Sequence, residues 1–446
     1  MTSALATQRR RTELGLIALA GLTTALLYAL AGLGRSASLP ADLGSFLLLV
    51  LALGVVAHLA VRRFAPHADP IILPVVVFLN GLGQVFIIRL SHESGIAGEL
   101  PALQTTWTAL GVGAFVATLI IVRRPRDLAA HRYTFGLIGI GLLILPMLPV
   151  VGREINGARI WASIGPINLQ PGEFARLALA IFLAAYLVEN RELLQVGSRR
   201  IGRFEIPDGR HLAPVLAAWG VSLLVLVAEK DLGSSLLYYA LFVVLLWVAT
   251  ERPAFLIIGG GLFVSGAVVA WRIFDHVQAR VDIWFDPWAT RSGSGYQLVE
   301  AALAMATGGL TGTGPGAGEP NRIPEVETDF IFAAIGEEMG LMGTTLVVGS
   351  FILLIGGGLR IAVQSINPFN KLLAVGLTTL MGLQALVIMG GIVRLLPLTG
   401  VTLPFISYGG SSLLANYILV ALLLRLSDRV ALQTTTAPAQ NEQATS

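Results

Sequence analysis

The sequence predicts an all-α polytopic integral membrane protein with about twelve transmembrane helices and a long extracellular loop before the tenth. Three observations carry this prediction. Hydrophobic residues fill 55% of the 446 positions, and charged residues only 13%, against about 25% in a soluble domain. Mean hydropathy is +0.76. At about 20 apolar residues per span, this content suffices for about twelve spans. The chain has no cysteine, which removes disulfides, thiol catalysis and thiolate metal sites. Its six histidines, at 58, 67, 92, 131, 211 and 276, show no ligand spacing such as HExxH.

Apolar stretches between charged or Pro/Gly-rich breaks place spans at 13–33, 43–61, 70–88, 103–122, 134–151, 172–188, 212–228, 232–250, 254–271, 331–358, 372–393 and 405–424. The basic start before 13–33 resembles a secretory leader. However, the apolar run is long and eleven spans follow, so an uncleaved first helix is the better reading. With Arg9, Arg10 and Arg11 inside, nineteen of the 30 Lys and Arg fall on the cytoplasmic side, ten fall outside, and Arg176 lies within a span. By the positive-inside rule both termini are then cytoplasmic. The net charge of +3 is therefore a mark of topology and not a nucleic-acid footprint. The polar tail 429–446 is expected to be disordered.

The loop 272–330 is the longest in the chain. It carries eight acids against four arginines, and loops of this length usually have a function. Trp284, Phe285, Trp288, Tyr296 and the apolar run 298–305 need something to pack on, so short interfacial helices on the outer face are expected.

Three constellations in the sequence are suited to chemistry. In IPEVETDFIFAAIGEEMG, 323–340, Asp329 stands at the mouth of the tenth span, and Glu337 and Glu338 lie about 12–13 Å deeper at 1.5 Å per residue. Glu337 is about 80° around the helix from Asp329 and Glu338 about 180°, so Glu337 shares a face with Asp329 and Glu338 faces another neighbour. Carboxylates at such depth are costly unless paired or hydrated, and they default to function. N-capping would explain Asp329 alone. The second constellation is NGARIWASIGPINLQPGEFARL, 156–177. It offers Arg159 outside and Arg176 within a span as cations for a phosphate, although snorkelling, or pairing of Arg176 with Glu173, explains them equally. The third, LPLTGVTLPFISYGGSS at 396–412, brings irregular backbone to the mouth of the last span, where such backbone is tolerated if it lines a polar cavity. The glycine-rich stretch 308–318 has neither a preceding strand nor a Walker lysine, so it fails as a nucleotide motif.

These segments resemble the SEDS family of bacterial cell-wall proteins, the group containing RodA and FtsW. The matching elements are NGARxW and QPxEFA (156–161, 170–175), DLG followed by small residues (231–235) and GYQ followed by the GGLxGxGxG run (295–316). IPExxTDFIFAxxxEExG (323–340) and LPxTGVxLPFxSYGGSS (396–412) complete the set, and all occur in family order over about 70–428. The resemblance implies a ten-helix core over 70–428, with 1–69 adding two extra helices. Arg176 keeps the charge where the family often has Lys, and Glu300 stands where Gln is common. Thr399 stands where some FtsW-like members have Lys.

The implied activity is that of a peptidoglycan glycosyltransferase. It would polymerise lipid II, a polyprenyl-diphosphate-linked disaccharide pentapeptide, at the outer face of the bacterial cytoplasmic membrane, for elongation and rod shape. A class B penicillin-binding protein, a transpeptidase, is the implied partner, and Asp329 is the implied catalytic residue. Glycosyl transfer needs a base for the acceptor hydroxyl, worth about 10²- to 10⁴-fold. Since an ordinary Asp titrates at about 3.9, like charge from Glu325, Glu327, Glu300 or Glu337 would help it act as one. Arg159 and Arg176 are candidates for the diphosphate, and Trp161, Gln297, Ser411, Glu325 and Glu337 are further substrate-binding candidates. No cofactor is identified; Mg or Mn at the diphosphate is conceivable, but no ligand motif supports it. An FtsW-like division polymerase, a lipid II flippase or transporter, and a scaffold for the partner are the alternative readings.

Overall fold

The computed structural model describes residues 2–91, 99–149, 151–155, 158–165, 167–192, 198–201, 204–207, 220–221, 229 and 231–444. In chain order the helices are α1 (Thr2–Ser36), α2 (Leu43–Phe64), α3 (Ile72–Ser91), α4 (Glu99–Ile121), α5 (Arg132–Ile144) and α6 (Pro171–Glu189). They continue as α7 (Leu232–Thr250), α8 (Ala254–Ile273), α9 (Asp275–Phe285), α10 (Tyr296–Gly308), α11 (Ile331–Gln364), α12 (Pro368–Ile392) and α13 (Gly410–Ala444). Among the described residues, 11 helices are long and apolar enough to cross a membrane. The chain is a multi-pass membrane protein. The span expected at 212–228 lies outside the described residues, apart from 220 and 221.

The chain divides into two compact units, 1–125 with 287–365 and 402–446, and 126–286 with 366–401. In the first unit α3 is the central element. Its sequence, ILPVVVFLNGLGQVFIIRLS, is apolar on every face, the pattern of a helix enclosed by others, and α3 packs against α1, α2, α4, α11 and α13. The extension 1–69 belongs to the same unit as the residues that follow it. The reason is burial, since α1 lays one face on α3. A buried polar group adds to this, in which Arg10 pairs with Glu13 and His58 Nδ1 lies 2.7 Å from Glu13 Oε1, joining α1 to α2.

In the second unit α12 packs on α6 and α7, α5 on α6, and α8 on α7. The start of α7 is set by Asp231, whose Oδ1 accepts from the N–H groups of Gly233 (2.9 Å) and Ser234 (3.1 Å), a side-chain N-cap. The all-helical expectation needs one addition. Residues 152–169 form a three-stranded antiparallel sheet, β1 (Gly152–Ile155), β2 (Ala158–Ile164) and β3 (Ile167–Leu169), in which Arg159 is exposed and Ala162 buried, on opposite faces of β2 as the two-residue period of a strand requires. A hairpin, β4 (Ser198–Ile201) with β5 (Phe204–Pro207), follows α6. The loop before α11 contains α9, α10 and short 3₁₀ turns; of its aromatic residues Trp284 is half-buried, while Phe285, Trp288 and Tyr296 are exposed. At the C-terminus α13 spans Gly410–Ala444, with Leu426 and Val430 buried on its apolar part.

Candidate active site

Asp329 lies in a turn immediately before α11 and is half-buried. The capping position falls on Phe330, which makes no side-chain cap, so Asp329 is not the N-cap. The turn is wound by the carbonyl of Glu325, which accepts from the N–H groups of Thr328 (3.2 Å) and Asp329 (3.1 Å). Glu325 itself sits at φ 56 with its side chain exposed.

A second segment, 403–408, clasps this turn. The Ser407 hydroxyl donates to Thr328 O (2.6 Å) while accepting from Leu403 N (2.9 Å), and Tyr408 N donates to Glu327 O (2.8 Å). The irregular LPFISY backbone is thus the support of the TDF turn. Behind it, α3 approaches so closely that a Cβ at Gly83 would stand 2.3 Å from Ile406 O, and Asn80 Nδ2 donates to Phe405 O (3.4 Å). Burial and the neighbouring Glu327 carboxylate push the Tyr408 hydroxyl above the usual tyrosine range, so it stays protonated as a donor beside the turn.

Glu337 and Glu338 close a second feature of the same unit. The helix α11 is broken at Gly340, where φ is 63 and ψ −159, so both acids lie in the last turn of a short first segment. The glycine-rich loop supplies what a helix end lacks. Thr313 N and Gly314 N donate to the carbonyls of Glu337 (2.9 Å) and Glu338 (3.1 Å), and beyond the break Leu341 N and Met342 N donate to Gly309 O and Leu310 O. Only glycine fits at 312, where φ is 84 and a Cβ would stand 2.1 Å from Glu338 O.

The two side chains part as their helical positions require. Glu337 Oε1 accepts from Glu319 N (2.8 Å). Glu338, 1% exposed, accepts from Arg89 Nε (3.0 Å) and Gly316 N (2.8 Å), while Arg89 Nη2 donates to Gly318 O (2.8 Å). On its other side the loop rests on α1, where a Cβ at Gly316 would stand 2.1 Å from Ala31 O and one at Gly34 2.2 Å from Pro315 O.

Of the remaining candidates, Gln297 is half-buried on α10 and Ser411 is buried in the first turn of α13, both in this unit. Glu300 lies 3.9 Å from Arg291. Arg159, Trp161 and Arg176 belong to the second unit. Arg159, on β2, is exposed and pairs with Glu154 (3.0 Å), and Trp161 on the same strand is half-buried opposite Arg153. Arg176 is buried on α6 and paired with Glu173. Asn156 and Gly157 lie outside the described residues. Among the described residues no three His, Asp or Glu side chains are arranged to hold a metal ion.

Residues 70–431 match the family model described as "Cell cycle protein", that of FtsW, RodA and SpoVE. The chain belongs to this SEDS family. Among its relatives, the peptidoglycan glycosyltransferase RodA of Mycobacterium tuberculosis is 45% identical over 94% of this chain and 90% of its own. The RodA of Mycobacterium leprae is 42% identical over the same shares. A probable peptidoglycan glycosyltransferase FtsW of Geobacter metallireducens is more distant, at 33% over 65% of this chain and 75% of its own. A solved structure of a peptidoglycan synthase complex that coordinates polymerization and crosslinking holds a chain 28% identical, with a TM-score of 0.64 over 81% of this chain and 98% of that one. A mutant of the rod shape determining protein RodA of Thermus thermophilus is 25% identical, with a TM-score of 0.54 over 81% of this chain and 97% of that one.

The supporting residues that sequence reasoning passed over all lie on α3: Asn80, Gly83 and Arg89. Their signal was present as polar residues, Asn80, Gln84 and Arg89, inside an otherwise apolar span.

Proposed function

We propose that this SEDS protein is a RodA-like peptidoglycan glycosyltransferase that joins lipid II units into glycan strands for cell elongation. It works at the outer face of the bacterial cytoplasmic membrane, with both termini in the cytoplasm, and beside a class B penicillin-binding protein that cross-links the strands. The observation that carries this reading is the TDF turn. Asp329 is presented half-buried on a turn that 403–408 clasps by two hydrogen bonds, and a carboxylate fixed in this way gains from position. In the proposed step the Asp329 carboxylate takes the proton of the acceptor hydroxyl. That oxygen bonds to the anomeric carbon of the donor, whose bond to the diphosphate breaks, and the polyprenyl diphosphate leaves with the electron pair. Arg159 and Arg176 are proposed to offset the charge of the diphosphate, and Trp161, Gln297, Ser411, Glu325 and Glu337 to bind or support the substrates.

The test is polymerisation of lipid II by purified protein, read as glycan strands on a gel. Asp329→Asn abolishes strands while expression and thermal unfolding stay as in the wild type. Undiminished polymer from Asp329→Asn would overturn the assignment.

A further inference from the structure

At one end of the first unit, α2, α4 and α13 are tied together by an arginine that takes no part in the reaction above. Arg425 of α13 donates through Nη1 to Phe64 O, the last residue of α2, and through Nη2 to Leu119 O, in the last turn of α4. Both acceptors are among the carbonyls that a helix end leaves open. Arg425 is 5% exposed, and its buried Nε has no hydrogen-bond partner among the described residues. Helix ends carry only a partial negative charge, so much of the guanidinium's charge is left without a counterion.

More positive charge surrounds it. Arg429, one turn further along α13, donates from Nη2 to Arg123 O (2.7 Å), and its Nε too is buried without a partner among the described residues. Arg123 and Arg124 follow the end of α4 and are exposed, as is Arg63 in the last turn of α2, whose Cζ lies 5.5 Å from the centre of the Phe64 ring. None of these five arginines forms an ion pair among the described residues. The charges of Arg429 and Arg123 act against that of Arg425, while the carboxylate that acts in its favour, Asp428, is engaged by His67, at 2.9 Å from its N and 3.3 Å from its Nδ1.

The outward faces of the two flanking helices are apolar and run into this group. On α2 the exposed Leu59 and Val56 lie one and two turns before Arg63, and on α4 the exposed Leu110 and Ile120 lead to Arg123 and Arg124. A ligand that meets both features has apolar chains and more than one negative charge at its head. We propose that the ends of α2, α4 and α13 form a headgroup site for a phospholipid with two phosphodiesters, a cardiolipin, on the side that the arginine distribution assigns to the cytoplasm. Arg63, Arg123, Arg124 and Arg429 receive its phosphate oxygens, and Arg425 supplies the buried charge behind them. Basic pockets between transmembrane helices at this face suit such headgroups. Five cations beside one engaged carboxylate exceed what a single phosphodiester would offset, and a soluble phosphate would make no use of the apolar faces. The site goes beyond the glycosyl transfer proposed above and does not depend on it.

The experiment uses the full chain, delipidated in detergent and titrated with cardiolipin, phosphatidylglycerol or phosphatidylcholine. Native mass spectrometry counts the bound lipid, and thermal unfolding reads the stabilisation. Cardiolipin is expected to bind as one molecule per chain and to raise the unfolding temperature, phosphatidylglycerol to bind about tenfold more weakly for its missing phosphate, and phosphatidylcholine to do neither. Arg123→Gln with Arg124→Gln removes two exposed charges and is expected to weaken cardiolipin binding about 30-fold. Arg191→Gln, which removes a charge of the second unit that pairs with Glu251, is expected to leave it within about twofold. Phosphatidylcholine retained as strongly as cardiolipin, wild-type affinity in the double variant, or an equal loss in Arg191→Gln would overturn the proposal. Full displacement of cardiolipin by inorganic diphosphate at equal concentration would overturn it in favour of a soluble anion.

Discussion

Gly83 lies on a helix that carries no candidate catalytic residue, yet its replacement by alanine should stop the enzyme. A Cβ there would stand 2.3 Å from Ile406 O and 2.7 Å from Ile406 Cα. These atoms are backbone and cannot rotate away, so α3 and the 403–408 segment must separate by roughly 1 Å to reach ordinary contact. Overpacking of this kind costs about 1–3 kcal/mol. The larger effect is on geometry. Segment 403–408 holds the TDF turn through the Ser407–Thr328 bond of 2.6 Å and the Tyr408–Glu327 bond of 2.8 Å, so the shift passes to Asp329. A misplacement of about 1 Å costs on the order of 10²-fold in rate. Gly83→Ala is therefore expected to lower lipid II polymerisation about 100-fold while the protein still purifies as a folded species. Gly113→Ala on α4, where a Cβ meets nothing within 4 Å, is the control and should run at the wild-type rate. A Gly83→Ala enzyme within twofold of wild type would refute the idea that α3 positions the turn.

Other outcomes follow from the same contacts. Ser407→Ala removes the donor to Thr328 O and the acceptor for Leu403 N, a loss of about 1 kcal/mol for each bond, and should lower polymerisation more than it lowers the unfolding temperature. Arg89→Ala strands the buried Glu338 carboxylate, which costs about 3–5 kcal/mol, whereas Arg89→Met with Glu338→Gln should recover much of that stability; thermal unfolding in detergent compares the two. Because Glu327 helps hold the Tyr408 hydroxyl protonated, Glu327→Gln should move the tyrosine titration, followed by ¹³C NMR of labelled Tyr, to lower pH. Gly34→Leu drives a side chain onto Pro315 O and should slow polymerisation with little effect on expression.

The spans were legible because lipid and the backbone's need for internal hydrogen bonds leave few choices. The separate roles of Glu337 and Glu338 were legible too, since adjacent positions on a helix point about 100° apart, and one indeed meets Glu319 N while the other meets Arg89. The break at Gly340 was not, because it depends on a loop folding back some thirty residues away from its start. The sheet at 152–169 escaped for a similar reason, as strands of three to seven residues leave too short an alternation to stand out beside membrane spans. Asp329 was found through its motif. The segment that clasps it was recognised as irregular backbone, but its partner was invisible because the bonds join residues 79 apart in the chain.

The contact between α1 and the glycine-rich loop also has a history in time. Gly34 is synthesised some 280 residues before Gly316, the residues whose neighbourhoods meet at Pro315 and Ala31. At about 5–20 residues per second, α1 waits roughly 15–60 s before its wall is covered. During that interval the Arg89 side chain has no Glu338 to meet, and the site can assemble only when almost the whole chain has been made. A chain begun at residue 70, where the family match starts, would keep the loop's bonds to Glu337, Glu338 and Arg89 yet leave its other side without α1.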